Sequence, residues 1–405
     1  MKRVAVIGAG PLGLEAALYA RRLGHDVTLY ERDTVAENVR RWGHVAMFSP
    51  WRMNTSPLAR AELRRRGWSS PDPERFPSGR QFREGYLLPL SEVLAGSMRT
   101  GVEVAGVARS GLLKNEAVGG TLRSGRSFRL LLRPRGRREE WAEADVVIDA
   151  SGVFGNPAAL GHGGLPAPGE AALGSEINRG PPDVLGADLH RFAGKTVLVL
   201  GAGHSAATSV VALVRLQADE PSTRIVWCYR SERAAPLDEI PDDPLPGRSG
   251  LAREANRLAG ERPGGLEVVA GVMVESIERS KGRLLIELAG PGGPRRIEAD
   301  RIIACTGYRP DHSLSRELQS HFCYASEGSM RLAAKLLGAS ADCLAAPKGG
   351  PDLLRHPEPD FFVIGQKSYG RNPAFLIATG REAVRDLFRL ADGEESQDLY
   401  AEPSW

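Results

Sequence analysis

Two short glycine-rich stretches have the residue types and spacing of a phosphate-binding turn. They are Gly8-Ala9-Gly10-Pro11-Leu12-Gly13 and Gly201-Ala202-Gly203-His204-Ser205-Ala206. The first glycine of such a turn permits a tight bend. The second lets the backbone approach a pyrophosphate, and a third small residue lets helix and strand pack closely. The N–H groups that open the following helix then face the phosphates. Gly8, Ala9, Gly10, Pro11, Leu12 and Gly13 are therefore candidate ligands of one dinucleotide. Gly201, Gly203, His204, Ser205 and Ala206 are candidates for a second.

The residues that end the next strand in each copy differ in charge. Tyr30-Glu31 in the first copy corresponds to Tyr229-Arg230 in the second. A carboxylate at this place can accept both hydroxyls of an adenosine ribose, and Glu31 lies 23 residues after Gly8. It would repel a 2′-phosphate, which an arginine fork binds. The second site is thus expected to take NADPH rather than NADH, with Arg230 and Arg233 as ligands. Arg32, beside Glu31, joins the first set.

The elements that must hold these residues repeat as well. Residues 4–7 read as a buried strand, 12–23 as a helix stopped by Gly24, and 27–30 as a second strand. In the second copy 196–200 is the strand, 205–218 the helix and 224–229 the next strand. Each copy then closes through meander strands. Residues 128–132 and 141–148 lead into Asp149-Ala150-Ser151-Gly152, and 284–288 and 297–303 into Cys305-Thr306-Gly307-Tyr308-Arg309-Pro310. The expected fold class is α/β, with two Rossmann-like three-layer domains.

Composition narrows the remaining choices. The chain has 405 residues, 42% of them hydrophobic and 25% charged, with a net charge of +3. That is a globular balance, and so small a basic surplus gives no electrostatic footprint for nucleic acid. No aromatic stacking platform accompanies the arginine-rich stretch 133–138, which reads as a solvated hairpin tip rather than a nucleic-acid patch. No apolar run reaches the 18 or so residues of a membrane span. Residue 4 already starts a strand, so a cytoplasmic protein without a signal peptide is expected. The eight histidines show no HxxxH or HxH spacing, so no metal site is expected. Of the four cysteines none forms a CxxC pair. Cys228 and Cys305 read as buried and inert, and Cys323 and Cys343 as ordinary thiols, with a redox-active pair as the alternative. The proline-rich segment 236–247 reads as a solvated loop, or else as a lid at the cofactor edge.

Taken together, these motifs resemble the two-dinucleotide-binding-domain flavoproteins, a group that includes flavin-containing and N-hydroxylating monooxygenases and thioredoxin-reductase-like enzymes. The resemblance spans the chain and ends on Phe361-Phe362-Val363-Ile364-Gly365. It implies that the first fold, residues 1–158 and 302–405, binds FAD and that an inserted fold, 159–301, binds NADPH. Gly365 and Gln366 would then lie beside the flavin. Gln366 stands where the reductase branch usually has an aspartate on the ribityl chain. Asn372 and Pro373 would open a helix to about residue 390, its positive end toward the flavin. Arg41-Trp42-Gly43-His44 and Met53-Asn54-Thr55-Ser56-Pro57 are similar to the flavin-facing stretch of the monooxygenases. That implies Trp42 as a flavin contact and Asn54 as a catalytic candidate; among the histidines His44, which follows Trp42, is the better catalytic candidate. The FxGxxxH element of flavin-containing monooxygenases is missing, since residues 174–180 do not match it.

The resulting expectation is an FAD- and NADPH-dependent oxidoreductase that oxidises a heteroatom of a small molecule with O2, through an oxygenated flavin. The alternatives are a reductase of a disulfide, quinone or protein acceptor, and a redox-sensing flavoprotein without turnover. Residues 47–90 and 234–250 are read as irregular segments that would meet the substrate. A homo-oligomer is compatible with all three readings.

Overall fold

The computed structural model describes residues 1–338, 342–344, 349–393 and 396–401. The chain divides into two units. The first comprises Met1–Gly43, Ser49–Asn156 and Tyr308–Trp405, and the second His44–Phe48 and Pro157–Gly307.

The first unit is built on five parallel strands in the order Phe361–Val363, Val146–Asp149, Arg3–Ile7, Asp26–Glu31, Met98–Thr100. All four side chains of Val146–Asp149 are buried, as befits a strand covered on both faces. An antiparallel meander, Val102–Arg109, Phe128–Pro134 and Glu140–Ala144, supplies a second layer. Ala5, Ile7, Val147 and Phe361 from the sheet pack with Phe128, Leu130 and Leu132 from the meander.

The second unit repeats this plan. Its parallel strands run in the order Leu266–Ala270, Arg224–Tyr229, Thr196–Leu200, Arg301–Ala304, Ile177–Arg179. Its meander is Met273–Ser280, Arg283–Ala289 and Arg295–Ala299. Alternation along Thr196–Leu200 sorts the core. Val197 and Val199 pack with the helices His204–Asp219 and Pro246–Glu261, while Leu198 and Leu200 pack with the meander. The expected α/β class with two three-layer nucleotide folds is what the chain forms.

Three expectations need correction. The run 141–148 is two strands, Glu140–Ala144 in the meander and Val146–Asp149 in the sheet, divided at Asp145. The run 297–303 divides likewise at Asp300. Both aspartates staple the corner to the start of the central strand. Asp145 accepts from Arg3 N at 2.9 Å, and Asp300 from Thr196 N at 2.8 Å. A carboxylate there satisfies the first N–H of the strand while the chain changes layers. Second, the segment read as irregular over 47–90 is largely helical, through Trp51–Asn54, Pro57–Arg64, Gly79–Phe82 and a π-helical turn at Arg83–Leu87. Ser56 and Ser78 cap two of these helices. Third, the closing helix is Ile377–Asp392 and does not start at Pro373. Asn372 Oδ1 accepts from Ala374 N at 2.9 Å and makes a local turn, and Thr379 Oγ1 accepts from Leu376 N at 3.3 Å to cap the true start.

Candidate dinucleotide sites

In the first unit the turn Gly8-Ala9-Gly10 leads into the helix Pro11–Arg22, with Pro11 in its first turn and Gly10 as its N-cap. The three glycines are held for different reasons. Gly8 has φ +100°, and a Cβ on it would lie 2.8 Å from the Ala150 carbonyl oxygen. A Cβ on Gly13 would sit 1.8 Å from the Gly8 carbonyl oxygen. At Gly10 a Cβ would meet nothing within 4 Å. Packing therefore requires glycine at 8 and 13, whereas Gly10 keeps open a space that the protein does not fill. No side chain caps the helix N-terminus. An open turn at an uncapped helix start is what an anionic phosphate needs.

Glu31 reaches back into this turn. Its Oε2 accepts from Ala9 N at 2.8 Å and its Oε1 from Asp33 N at 2.9 Å. A carboxylate has about four acceptor sites, so two remain for hydroxyl donors. Arg32 is exposed and lies against Gly155, where a Cβ would come within 2.6 Å of its guanidinium. Leu12 is buried and packs on Gly365 and Gly380, so its side chain is part of the core. Gly365 has φ +79°, a left-handed conformation that glycine tolerates.

The other first-unit candidates are more committed to the protein than the sequence suggested. Gln366 donates from Nε2 to the Asn372 carbonyl at 2.8 Å, within its own loop. Asn54 is buried, and its Nδ2 donates to the carbonyls of Ser49 and Pro50, both at 2.9 Å. Its Oδ1 accepts from Ser49 Oγ at 2.9 Å. Both amide hydrogens are thus engaged in the turn that opens Trp51–Asn54, and a bond to a cofactor would require breaking one. Trp42 rests on Gly79, where a Cβ would sit 2.4 Å from the indole. Its Nε1 is buried with no hydrogen-bond partner among the described residues.

In the second unit Gly201 has φ +125°, and a Cβ on it would lie 2.3 Å from the Cys305 carbonyl oxygen. Gly203 repeats the behaviour of Gly10, with nothing within 4 Å. The helix His204–Asp219 again starts uncapped, and Gly203, His204 and Ser205 are exposed at its opening while Ala206 is buried. The His204 ring lies edge-on to Phe48, centroids 5.4 Å apart. Desolvation of the ring by its neighbours, and then the charge of Arg248, holds its pKa below the ordinary histidine value. Arg248 itself is paired bidentately with Asp243, both bonds at 2.8 Å. The proline-rich segment is therefore anchored at Asp243, just before Pro246–Glu261 begins.

Arg230 is exposed and has no hydrogen-bond or ion-pair partner among the described residues. Arg233 donates to Asp238 Oδ1 at 2.6 Å on an exposed surface. His44 also lies in this unit, and its Nε2 is buried without a partner among the described residues. Cys228, Cys305 and Cys323 are free. Burial pushes the thiols of Cys228 and Cys305 up to about 12. Among the described residues no three His, Cys, Asp or Glu side chains gather as a metal ion would need. No helix among them is long and apolar enough to cross a membrane.

Comparison with known proteins places this architecture. A family model for pyridine nucleotide-disulphide oxidoreductases matches residues 2–50, which contain the first turn and Glu31. The bacillithiol disulfide reductase Bdr of Bacillus cereus is similar over 95% of this chain and 97% of its own, with a TM-score of 0.66 and 19% identity. The cadaverine monooxygenase DfoA of Erwinia amylovora, solved with FAD, is similar over 100% of this chain and 98% of its own, with a TM-score of 0.63 and 12% identity. This is the fold of the two-dinucleotide-binding-domain flavoproteins. Thioredoxin reductase of T. acidophilum shares it, with a TM-score of 0.58 at 14% identity over 97% of this chain and 99% of its own. No curated protein matches by sequence. Within the flavoprotein fold, reductases and oxygenases are thus about equally similar to this chain.

One group was missed by sequence reasoning. Lys367, next to Gln366, is buried and bonded to Asp149, 218 residues away. Asp149 belongs to the Asp149-Ala150-Ser151-Gly152 stretch, but nothing in the spacing signals its partner.

Proposed function

We propose that the chain is an FAD-dependent oxidoreductase that takes electrons from NADPH and uses them to oxidise a small molecule with O2. The observation that carries the dinucleotide reading is the contrast within each turn. Gly8 and Gly201 are fixed by packing, whereas Gly10 and Gly203 keep open a space beside an uncapped helix start. Gly10, the N–H groups of Pro11–Arg22 beyond the proline, and Glu31 would hold FAD. Gly203, Ser205 and Arg230 would hold NADPH, with Arg230 selecting the 2′-phosphate. When bound, FAD supplies a two-electron carrier that accepts hydride from NADPH and, once reduced, reacts with O2. The protein's part is to bind, orient and exclude water. The buried donor Trp42 Nε1, unsatisfied by the described residues, fits a polar edge of that cofactor.

Oxygen rather than a disulfide is favoured as acceptor by the state of the thiols. Cys228, Cys305 and Cys323 are free, and the high pKa of Cys228 and Cys305 leaves those two unreactive as nucleophiles. One observation favours the reductase alternative. Cys323 accepts from Ser326 N at 3.5 Å, and hydrogen bonds from Ser326 hold its pKa below the usual thiol value. NADPH oxidation by the purified flavoprotein separates the two. Rapid oxidation with O2 uptake, and slow turnover with disulfide or quinone acceptors without oxygen, supports the oxygenase. The reverse pattern supports the reductase, and no oxidation with any acceptor leaves a redox sensor.

A further inference from the structure

At the carboxyl ends of Val146–Asp149 and Phe361–Val363, neighbours in the first sheet, lies a charge cluster that the site described above does not use. Lys367 Nζ donates to Asp149 Oδ2 at 2.6 Å and to Ser151 Oγ at 3.0 Å. Ser151 donates to Asp149 Oδ1 from Oγ at 2.6 Å and from its backbone N at 3.1 Å. The side chains of Lys367 and Asp149 are 3% and 1% exposed.

Burying two charges is a poor route to stability, because the desolvation cost can exceed their attraction. The location gives this pair another use. Ala150, between Asp149 and Ser151, is the residue whose carbonyl a Cβ on Gly8 would strike, so the first phosphate turn packs directly on this segment. In an open parallel sheet the ligand crevice lies outside the carboxyl strand ends, where the strand order reverses. Here that place is between Arg3–Ile7 and Val146–Asp149: the next sheet strand after Arg3–Ile7, Asp26–Glu31, lies on one side of this boundary, and the next after Val146–Asp149, Phe361–Val363, on the other. Asp311 and His312, from the segment following Tyr308-Arg309-Pro310, also lie within the field of Lys367.

We propose that Lys367, Asp149 and Ser151 form a fixed pair of opposite charges that sets the reduction potential of the cofactor held by the first turn. The proposal rests on the reading of that turn as the FAD site. In a water-excluded place each charge acts with little screening. The ammonium favours the more electron-rich reduced cofactor, the carboxylate disfavours it, and Ser151 holds the two in register. Lys367 is a positioning residue in this scheme: it acts on the cofactor by its field and transfers nothing.

The test is the midpoint potential of bound FAD in Lys367→Met, Asp149→Asn and the double variant, each checked for flavin content and thermal unfolding. Lys367→Met should lower the potential and Asp149→Asn should raise it. Each shift should be at least tenfold in the redox equilibrium, about 30 mV for a two-electron couple. The double variant should fall between the singles and more than threefold from wild type in the redox equilibrium. A purely structural pair would lower the unfolding temperature without opposite-signed shifts, and potentials that stay put or move together would overturn the proposal. If a lone buried charge prevents folding, the double variant carries the test alone. Removal of the oriented pair must then move the equilibrium more than threefold, and an unmoved potential would overturn the idea. Wild-type protein that purifies without flavin would instead sink the FAD reading.

Discussion

Glu31 and Arg230 end equivalent strands of the two units, each one residue after a buried tyrosine, and they are treated differently by their surroundings. The carboxylate is drawn into its own turn by the N–H groups of Ala9 and Asp33. The guanidinium is exposed with no partner among the described residues. Around them the scaffolds match closely. Both first glycines are locked at positive φ against the residue that follows the sheet strand after each meander, and both second glycines border open space. Both meanders are pinned to the central strand by an aspartate, Asp145 and Asp300. The packing positions are thus common to the two units, and ligand choice is concentrated in the side chain at the strand end.

The largest expected effect separates the two second glycines. Gly10→Val should abolish flavin binding while the protein stays folded, since its side chain would occupy the phosphate space rather than strike the protein. Gly203→Val should leave flavin content intact and remove NADPH binding. Flavin content by absorbance and nucleotide binding by calorimetry check both, and a full flavin complement in Gly10→Val would contradict the first-turn assignment.

The first glycines should behave in the opposite way. Gly8→Ala and Gly201→Ala introduce a left-handed or stretched non-glycine residue, worth about 1–3 kcal/mol of strain each, before any clash. Denaturant unfolding should show this loss of stability even without ligand. A first-glycine variant with wild-type stability and weakened binding would blur the distinction between packing and ligand glycines.

Arg230→Ala should weaken NADPH binding by about 1.5–3 kcal/mol, the loss of a charge-assisted bond, and leave NADH nearly unchanged. Arg233→Ala should do much less, because that guanidinium is already paired with Asp238 on the surface. Equal losses for the two nucleotides would remove Arg230 as the discriminating residue.

Asn54→Ala gives the smallest effect on chemistry. Loss of its amide leaves the Ser49 carbonyl unpaired, at about 1–3 kcal/mol of stability, while the Pro50 carbonyl keeps the Met53 N–H. Peroxide formed per NADPH should stay at the wild-type ratio. A raised ratio in a folded, flavin-loaded variant would return Asn54 to the reacting centre.

The sheets and both turns were legible because parallel strands leave apolar runs bounded by glycine. The corners at Asp145 and Asp300 were not, because each single polar residue interrupts what reads as one continuous strand. The helices over 51–93 escaped notice because they are short and rich in arginine, and their caps, Ser56 and Ser78, give no periodic signal. The closing helix was misplaced because Asn372-Pro373 imitates a helix start, while the cap is Thr379 acting on Leu376. Candidate ligands in the turns could be named from spacing alone. The engagement of Asn54 and Gln366 by their own loops could not, since side-chain bonds to nearby carbonyls leave no mark on composition.

Anaerobic titration of the flavin-loaded protein with NADPH and with NADH, following the flavin's visible absorbance, tests the central claim most directly. With two dinucleotide sites divided as proposed, NADPH should bleach the flavin at a concentration at least about tenfold below that needed for NADH, the step expected from one charged contact. In Gly203→Val the flavin should remain bound and the bleaching by NADPH should be lost. Unchanged bleaching in Gly203→Val, or equal potency of the two nucleotides in wild type, would contradict the assignment of the second turn and of Arg230.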